Sequence, residues 1–85
     1  MNIRSAGVVI FAVIAISTAS LAQARFSTEL QAQQHCPNDT VVWLNIPTGI
    51  YLLKGERWYG RTKNGAFVCE KEADQAGDHE TRNGQ

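Results

Sequence analysis

Apolar residues fall into separate clusters along this chain, and polar residues punctuate them. The first cluster, Ala6–Ile16 (AGVVIFAVIAI), follows a short lead whose cation is Arg4 and gives way to a polar stretch closing on Ala22-Gln23-Ala24. A basic lead, an apolar run and small residues at positions −3 and −1 of a cut after Ala24 predict a secretory signal peptide over residues 1–24. An uncleaved anchor is the alternative reading. The eleven apolar residues fall well short of the ~20 that span a bilayer.

Beyond the leader the clusters are short and differ in period. Phe26, Leu30 and Ala32 are thinly spaced, and Ser27 can cap a helix over Thr28–Gln34 with Glu29 in the first turn, where the helix dipole favours an acid. Cys36-Pro37-Asn38-Asp39 ends it, because proline disfavours helix before it and Asn-Asp favours a turn. Thr40–Asn45 (TVVWLN) is β-branched and aromatic and reads as a strand. Ile46-Pro47-Thr48-Gly49 fits a β-turn, and Ile50–Leu53 (IYLL) returns as a second strand. Both faces of this hairpin are apolar, with Val41 and Trp43 on one and Val42 and Leu44 on the other. One face needs the helices; the other needs the aromatic segment that follows, or a partner.

Lys54–Thr62 (KGERWYGRT) reads as a loop. Asn64-Gly65 is the strongest hairpin-turn dipeptide, since both residues tolerate positive φ, and it predicts Ala66–Cys69 as a third strand. Glu70–Ala76 then forms a short helix, with Gly77 suited to a left-handed stop. Asp78–Gln85 carries no apolar residue and reads as a disordered tail. The expected fold is α+β: a small antiparallel three-stranded meander flanked by an N-terminal helix and a short C-terminal helix. It occupies residues 25–77, with a tail over 78–85.

The size of the mature chain raises the question of what holds it together. Removing 24 of 85 residues leaves 61, below the length at which a hydrophobic core alone is comfortably sufficient. Two cysteines, Cys36 and Cys69, and an oxidising destination predict one intramolecular disulfide. In the chain-entropy account it contributes roughly 3–4 kcal/mol. The competing reading is a zinc ligand set of His35, Cys36, Cys69 and His79, which lacks the paired spacing of zinc modules. Free thiols or intermolecular pairing complete the alternatives.

Charge changes the picture more than composition does. The whole chain is neutral, and losing Arg4 with the leader leaves seven cations against eight acids. Nothing in that balance makes nucleic acid the default partner. The distribution is uneven. Lys54, Arg57, Arg61 and Lys63 face only Glu56 within 54–63, whereas Glu70–Glu80 holds five acids and Lys71. Trp58 and Tyr59 lie among the cations. Basic residues interleaved with aromatics grip anionic polymers by charge and stacking, so Lys54, Arg57, Trp58, Tyr59, Arg61 and Lys63 form the candidate binding surface. The competing reading places Trp58 and Tyr59 in the core while the cations face water or pair with the acidic helix.

No residue set favours catalysis. His35 lies next to Cys36, but a Cys–His pair needs a free thiolate, which a disulfide removes, and adjacent extended residues point apart. Glu70, Glu72 and Asp74 on one short helix read as a solvated face. The glycines and cations of 55–63 lack a phosphate-loop pattern, so neither cofactor nor metal is expected.

The residues Phe26-Ser27-Thr28-Glu29, His35-Cys36-Pro37 with Asp39, Val41-Val42-Trp43 with Asn45, Gly49-Ile50-Tyr51, Gly55, Arg57-Trp58-Tyr59-Gly60, Thr62-Lys63 with Gly65, and Cys69-Glu70 with Ala73 and Gly77 form a pattern covering nearly the whole mature chain. It resembles a family of small secreted uncharacterised bacterial proteins. From Tyr51 onward the chain also resembles, more distantly, short bacterial domains that accompany nucleic-acid-processing or surface proteins. In both groups a histidine commonly follows the tyrosine of the second strand, where this chain has Leu52. The resemblance implies a compact hairpin module without supplying an activity. The functional expectation is a periplasmic or secreted non-catalytic protein, without a membrane anchor after cleavage, that binds an envelope protein or anionic polymer through residues 54–63. A homodimer formed through the hairpin face is the alternative, and a metal-binding module is the remote one.

Overall fold

The computed structural model describes residues 23–83, so the signal peptide read over residues 1–24 lies, apart from Gln23 and Ala24, outside the described residues. The elements run α1 (Glu29–His35), β1 (Val41–Asn45), β2 (Ile50–Leu52), β3 (Gly65–Cys69), α2 (Glu70–Gln75) and β4 (His79–Glu80). The α+β class and both helices match expectation; the sheet does not.

The four strands lie in the order β3-β1-β2-β4. The first hairpin is as read, with Trp43 opposite Leu52 and Asn45 opposite Ile50. Its turn begins one residue earlier than expected, because the Asn45 carbonyl accepts from both Thr48 N (3.2 Å) and Gly49 N (3.0 Å). β3 does not extend a meander from β2. It pairs antiparallel with the far side of β1, setting Val42 opposite Val68 and Trp43 opposite Phe67. The connection from β2 therefore crosses the sheet, and Asn64-Gly65 is not a hairpin turn. The Asn64 carbonyl instead accepts from Ile46 N at 2.9 Å. Positive φ occurs at Gly49, Gly55, Gly60 and Gly77 but not at Gly65. Gly65 is required for another reason: a Cβ built there would overlap the Trp43 indole.

The segment expected to be a tail joins the sheet. Gly77, at φ +90°, turns the chain out of α2. His79 and Glu80 then run parallel to β2, with His79 N donating to Gly49 O and Thr81 N to Tyr51 O, both at 2.9 Å. Sequence polarity concealed this strand because it is an outer one with exposed side chains and is held by backbone hydrogen bonds. Phe26 forms a reciprocal bridge to Phe67 on the opposite edge, with both hydrogen bonds at 2.9 Å.

Strand alternation sorts the core into two faces. Val42, Leu44, Tyr51, Ala66 and Val68 share one, closed by Ala73 of α2, with Leu53 packed alongside. Val41, Trp43, Leu52, Phe67 and Cys69 share the other. There Ala32 of α1 is fully buried, and the 54–63 segment covers the aromatics. Val42, Leu44, Leu52 and Val68 are each at most 2% exposed, and each such burial stabilises by about 1.5–3 kcal/mol. The apolar hairpin side chains Val41–Leu44 are thus buried within one chain.

Local capping agrees with the amino-acid types, shifted by one residue. Thr28, not Ser27, caps α1, its Oγ1 accepting from Gln31 N at 3.1 Å. Ser27 donates instead to Gln31 Oε1. Cys69 precedes α2 without a side-chain cap. Asp39, distant in sequence, takes that role: its Oδ2 accepts from Lys71 N at 3.0 Å, while Oδ1 accepts from Thr40 N at 2.7 Å. Cys36 and Cys69 form a disulfide with S–S 2.02 Å, tying the end of α1 to the end of β3.

Candidate binding surface

Residues 54–63 form a succession of tight turns. Tyr59 N donates to Glu56 O (3.1 Å) and Arg61 N to Trp58 O (2.9 Å), while Glu56 also accepts from Leu53 N through its carboxylate. Short turns of this kind throw successive side chains to different sides, and the six predicted site residues divide accordingly.

Two of them reach α1, Tyr59 from a half-buried position and Lys54 across the surface. Tyr59 is half-buried, its ring edge-on to Phe67 at 5.6 Å between centroids, and its hydroxyl donates to Glu29 Oε1 at 3.1 Å. Lys54 pairs with the other oxygen of Glu29 at 2.8 Å. Glu29 thus ties the start and the middle of the segment to α1. The Lys54 ammonium, with the Tyr59 hydroxyl assisting, holds the Glu29 carboxyl below its usual range against a partial desolvation. Burial, followed by the hydrogen bond to Glu29, pushes the Tyr59 phenol well above its usual range. Lys54 pairs with an acid of α1 and not with the acidic helix α2.

Like Lys54, the other four are exposed. Trp58 is 42% exposed, and the Arg57 guanidinium carbon lies 5.3 Å from the centre of its ring. Arg61 and Lys63 are exposed. Behind them, Thr62 is half-buried and accepts from Trp43 Nε1 at 2.7 Å. This bond joins the surface segment to the core aromatic pair Trp43–Phe67, whose rings stand 4.8 Å apart at 67°. Trp58 thus faces water while Tyr59 packs against Phe67.

A second polar cluster surrounds the disulfide. His35 Nε2 meets Glu72 Oε2 at 2.8 Å, and the His35 ring packs on Phe26 at 5.1 Å. Donor atoms of His35, Cys69 and Glu72 lie within 4.8 Å of one another, as do those of Cys36, Asp39 and Cys69. The zinc alternative had named His79 as a ligand, but His79 lies in β4 and belongs to neither group. Glu72, expected on a solvated helix face, instead meets His35 beside Cys69, three residues before it in the chain.

On the opposite face of the sheet, the Tyr51 hydroxyl lies 2.7 Å from Asp74 Oδ1 and 3.1 Å from Glu70 Oε2. One phenolic proton serves both carboxylates, favouring the shorter contact. Burial and then these two acceptors push the Tyr51 phenol well above its usual range. This anchor explains part of the acidic run: Glu70 and Asp74 orient α2 on the sheet.

Among the described residues, no helix is long and apolar enough to cross a membrane. Comparison with models of protein families, with curated protein sequences and with solved structures finds no match.

Proposed function

We propose that this chain is an exported, non-catalytic protein that binds an anionic polymer of the cell envelope through Arg57, Trp58, Arg61 and Lys63. The observation that carries this reading is the exposed Trp58 with Arg57 over its ring. A large aromatic left in water beside cations supplies a stacking face and charge at one place. Tyr59 and Lys54, committed to Glu29, hold the segment in shape for it. The non-catalytic part rests on the Cys36–Cys69 bond, which withholds the one cysteine–histidine nucleophile pair in the sequence. The export part rests on the basic-apolar-small layout of residues 1–24 and on the disulfide, which persists in oxidising compartments.

Trp58 makes the test direct, because the other tryptophan, Trp43, is buried. Titration with a polyanion series (polyphosphate, a sulfated polysaccharide, an uronic-acid polymer) should change Trp58 fluorescence in a salt-sensitive manner. Arg57→Ala with Arg61→Ala should abolish the change while thermal unfolding stays as in the parent protein. Binding unaltered by the double substitution, or no response to any of the polymers, refutes the reading.

A further inference from the structure

The disulfide corner gathers more donors than a disulfide requires. His35 ends α1, Cys36 follows it, Cys69 ends β3, and Glu72 lies in the first turn of α2. We propose that reduction of the Cys36–Cys69 bond opens a binding site for one zinc-like divalent ion, held by His35, Cys69 and Glu72 with the released Cys36 as fourth ligand.

The geometry selects these groups. A ring nitrogen of His35, Cys69 Sγ and a Glu72 carboxylate oxygen already lie within 4.8 Å of one another. Around a tetrahedral zinc with bonds of about 2.0–2.3 Å the donor atoms lie roughly 3.3–3.8 Å apart, so separations near the 4.8 Å limit have to close by roughly 1 Å. Cys36 Sγ, bonded to Cys69 Sγ at 2.02 Å, groups with Cys69 and Asp39 and not with His35 and Glu72, so it reaches the ion only by swinging toward them once reduced. Once reduced, the two sulfurs would separate to about 3.7 Å around a shared tetrahedral ion. Two thiolates, an imidazole and a carboxylate form a donor set suited to zinc.

Neighbouring groups are arranged as an outer shell. Both Asp39 oxygens already accept from backbone N–H groups, of Thr40 and Lys71, so Asp39 holds the α2 end in place and is not counted as a ligand. Gln33 Nε2 donates to the Cys36 and Asp39 carbonyls, each at 3.0 Å, fixing the loop that carries Cys36. The Ala32 carbonyl oxygen lies 3.1 Å from Cys36 Sγ, an acceptor for a reduced thiol from which a metal-bound thiolate must rotate away. A concavity lined by Cys36, Asp39, Lys71 and Glu72 adjoins the Cys36 side of the bond.

The chemistry balances in two steps. A dithiol reductant gives two electrons and two protons to the Cys36–Cys69 bond, becoming a disulfide itself and leaving two thiols. Each thiol then releases its proton as its sulfur bonds the ion. Oxidised and metal-bound forms are therefore mutually exclusive, and each ties α1 to β3.

Cobalt(II) is the probe, since its thiolate charge-transfer and tetrahedral d–d bands report the ligands. The purified protein, reduced with a phosphine, should bind one Co²⁺ per chain with a thiolate band that Zn²⁺ displaces, and the oxidised protein should show no such band. His35→Gln and Glu72→Gln should each weaken binding by at least about tenfold. Their oxidised forms keep the disulfide, so unchanged far-UV circular dichroism there establishes that the fold survives. Zn²⁺ should also raise the melting temperature of the reduced protein. Absence of the thiolate band, equal affinity in the His35 and Glu72 variants, or equal binding by the oxidised form overturns the proposal.

Discussion

Replacing Gly65 by alanine adds one methyl group at the tightest approach in the sheet. The new Cβ would overlap the Trp43 indole, which is 8% exposed and held by its bond to Thr62 and its contact with Phe67. Displacing the ring endangers the 2.7 Å bond from Trp43 Nε1 to Thr62, about 1 kcal/mol, and the edge-to-face contact with Phe67, about 0.5–1.5 kcal/mol. Overpacking that the ring cannot escape costs about 1–3 kcal/mol. These penalties are partly alternatives, and together they give about 2–4 kcal/mol. For a domain of this size that lowers the melting temperature by roughly 10–30 °C. Calorimetry or circular dichroism of the oxidised protein measures it.

Two comparisons separate crowding from turn conformation. In a Trp43→Leu background, the added cost of Gly65→Ala should shrink to less than about 1 kcal/mol, because the obstructing ring is gone. Gly77→Ala has positive φ but no neighbouring atom within 4 Å, and should cost only about 1 kcal/mol. Gly65→Asn, which a positive-φ turn would tolerate, should be as damaging as Gly65→Ala. A mild effect of Gly65→Ala, or a stable Gly65→Asn protein, refutes the crowding argument.

Both tyrosines of the chain have phenols raised above the usual value, so alkaline spectrophotometric titration should show almost no tyrosinate near pH 10 in the folded protein and half-ionisation near pH 10 in denaturant. Their contribution to stability is complete below about pH 10 and is lost as pH rises from there through the higher folded values, so urea midpoints should fall on the alkaline side. Tyr51→Phe removes the proton shared by Asp74 and Glu70; both carboxylates can regain water, and the expected loss is about 1–2 kcal/mol by urea unfolding. Reducing the Cys36–Cys69 bond with a chelator present frees a loop of 33 residues' separation and should cost about 3–4 kcal/mol, seen as a large drop in thermal midpoint.

Local signals placed the elements well. The β-branched run gave β1, the Pro-Gly turn closed it on β2, and an acid-rich start with Gly77 after it bounded α2. Two cysteines with one possible pairing identified the bridge. The sequence also marked 54–63 as basic and aromatic, but it could not say that Trp58 would face water while Tyr59 reached Glu29, a residue 30 positions away. Nor could it show that Glu72, in a run of surface acids, would meet His35, 37 positions earlier.

The order of the strands was the largest misreading, and its cause is physical. Asn-Gly favours a hairpin through backbone conformation alone, yet β3 gains more by crossing the sheet. There Val68 meets Val42 and Phe67 meets Trp43, and the missing side chain at Gly65 admits the indole. Likewise β4 is polar in sequence and is held by main-chain hydrogen bonds, which any residue except proline can supply. Short-range spacing thus determined where helices and strands begin, which cysteines pair and where charge accumulates, because those depend on neighbours in the chain. Strand order, the division of the aromatic segment and the polar cluster at the disulfide depend on groups many residues apart, and only the packed structure decides which of them meet.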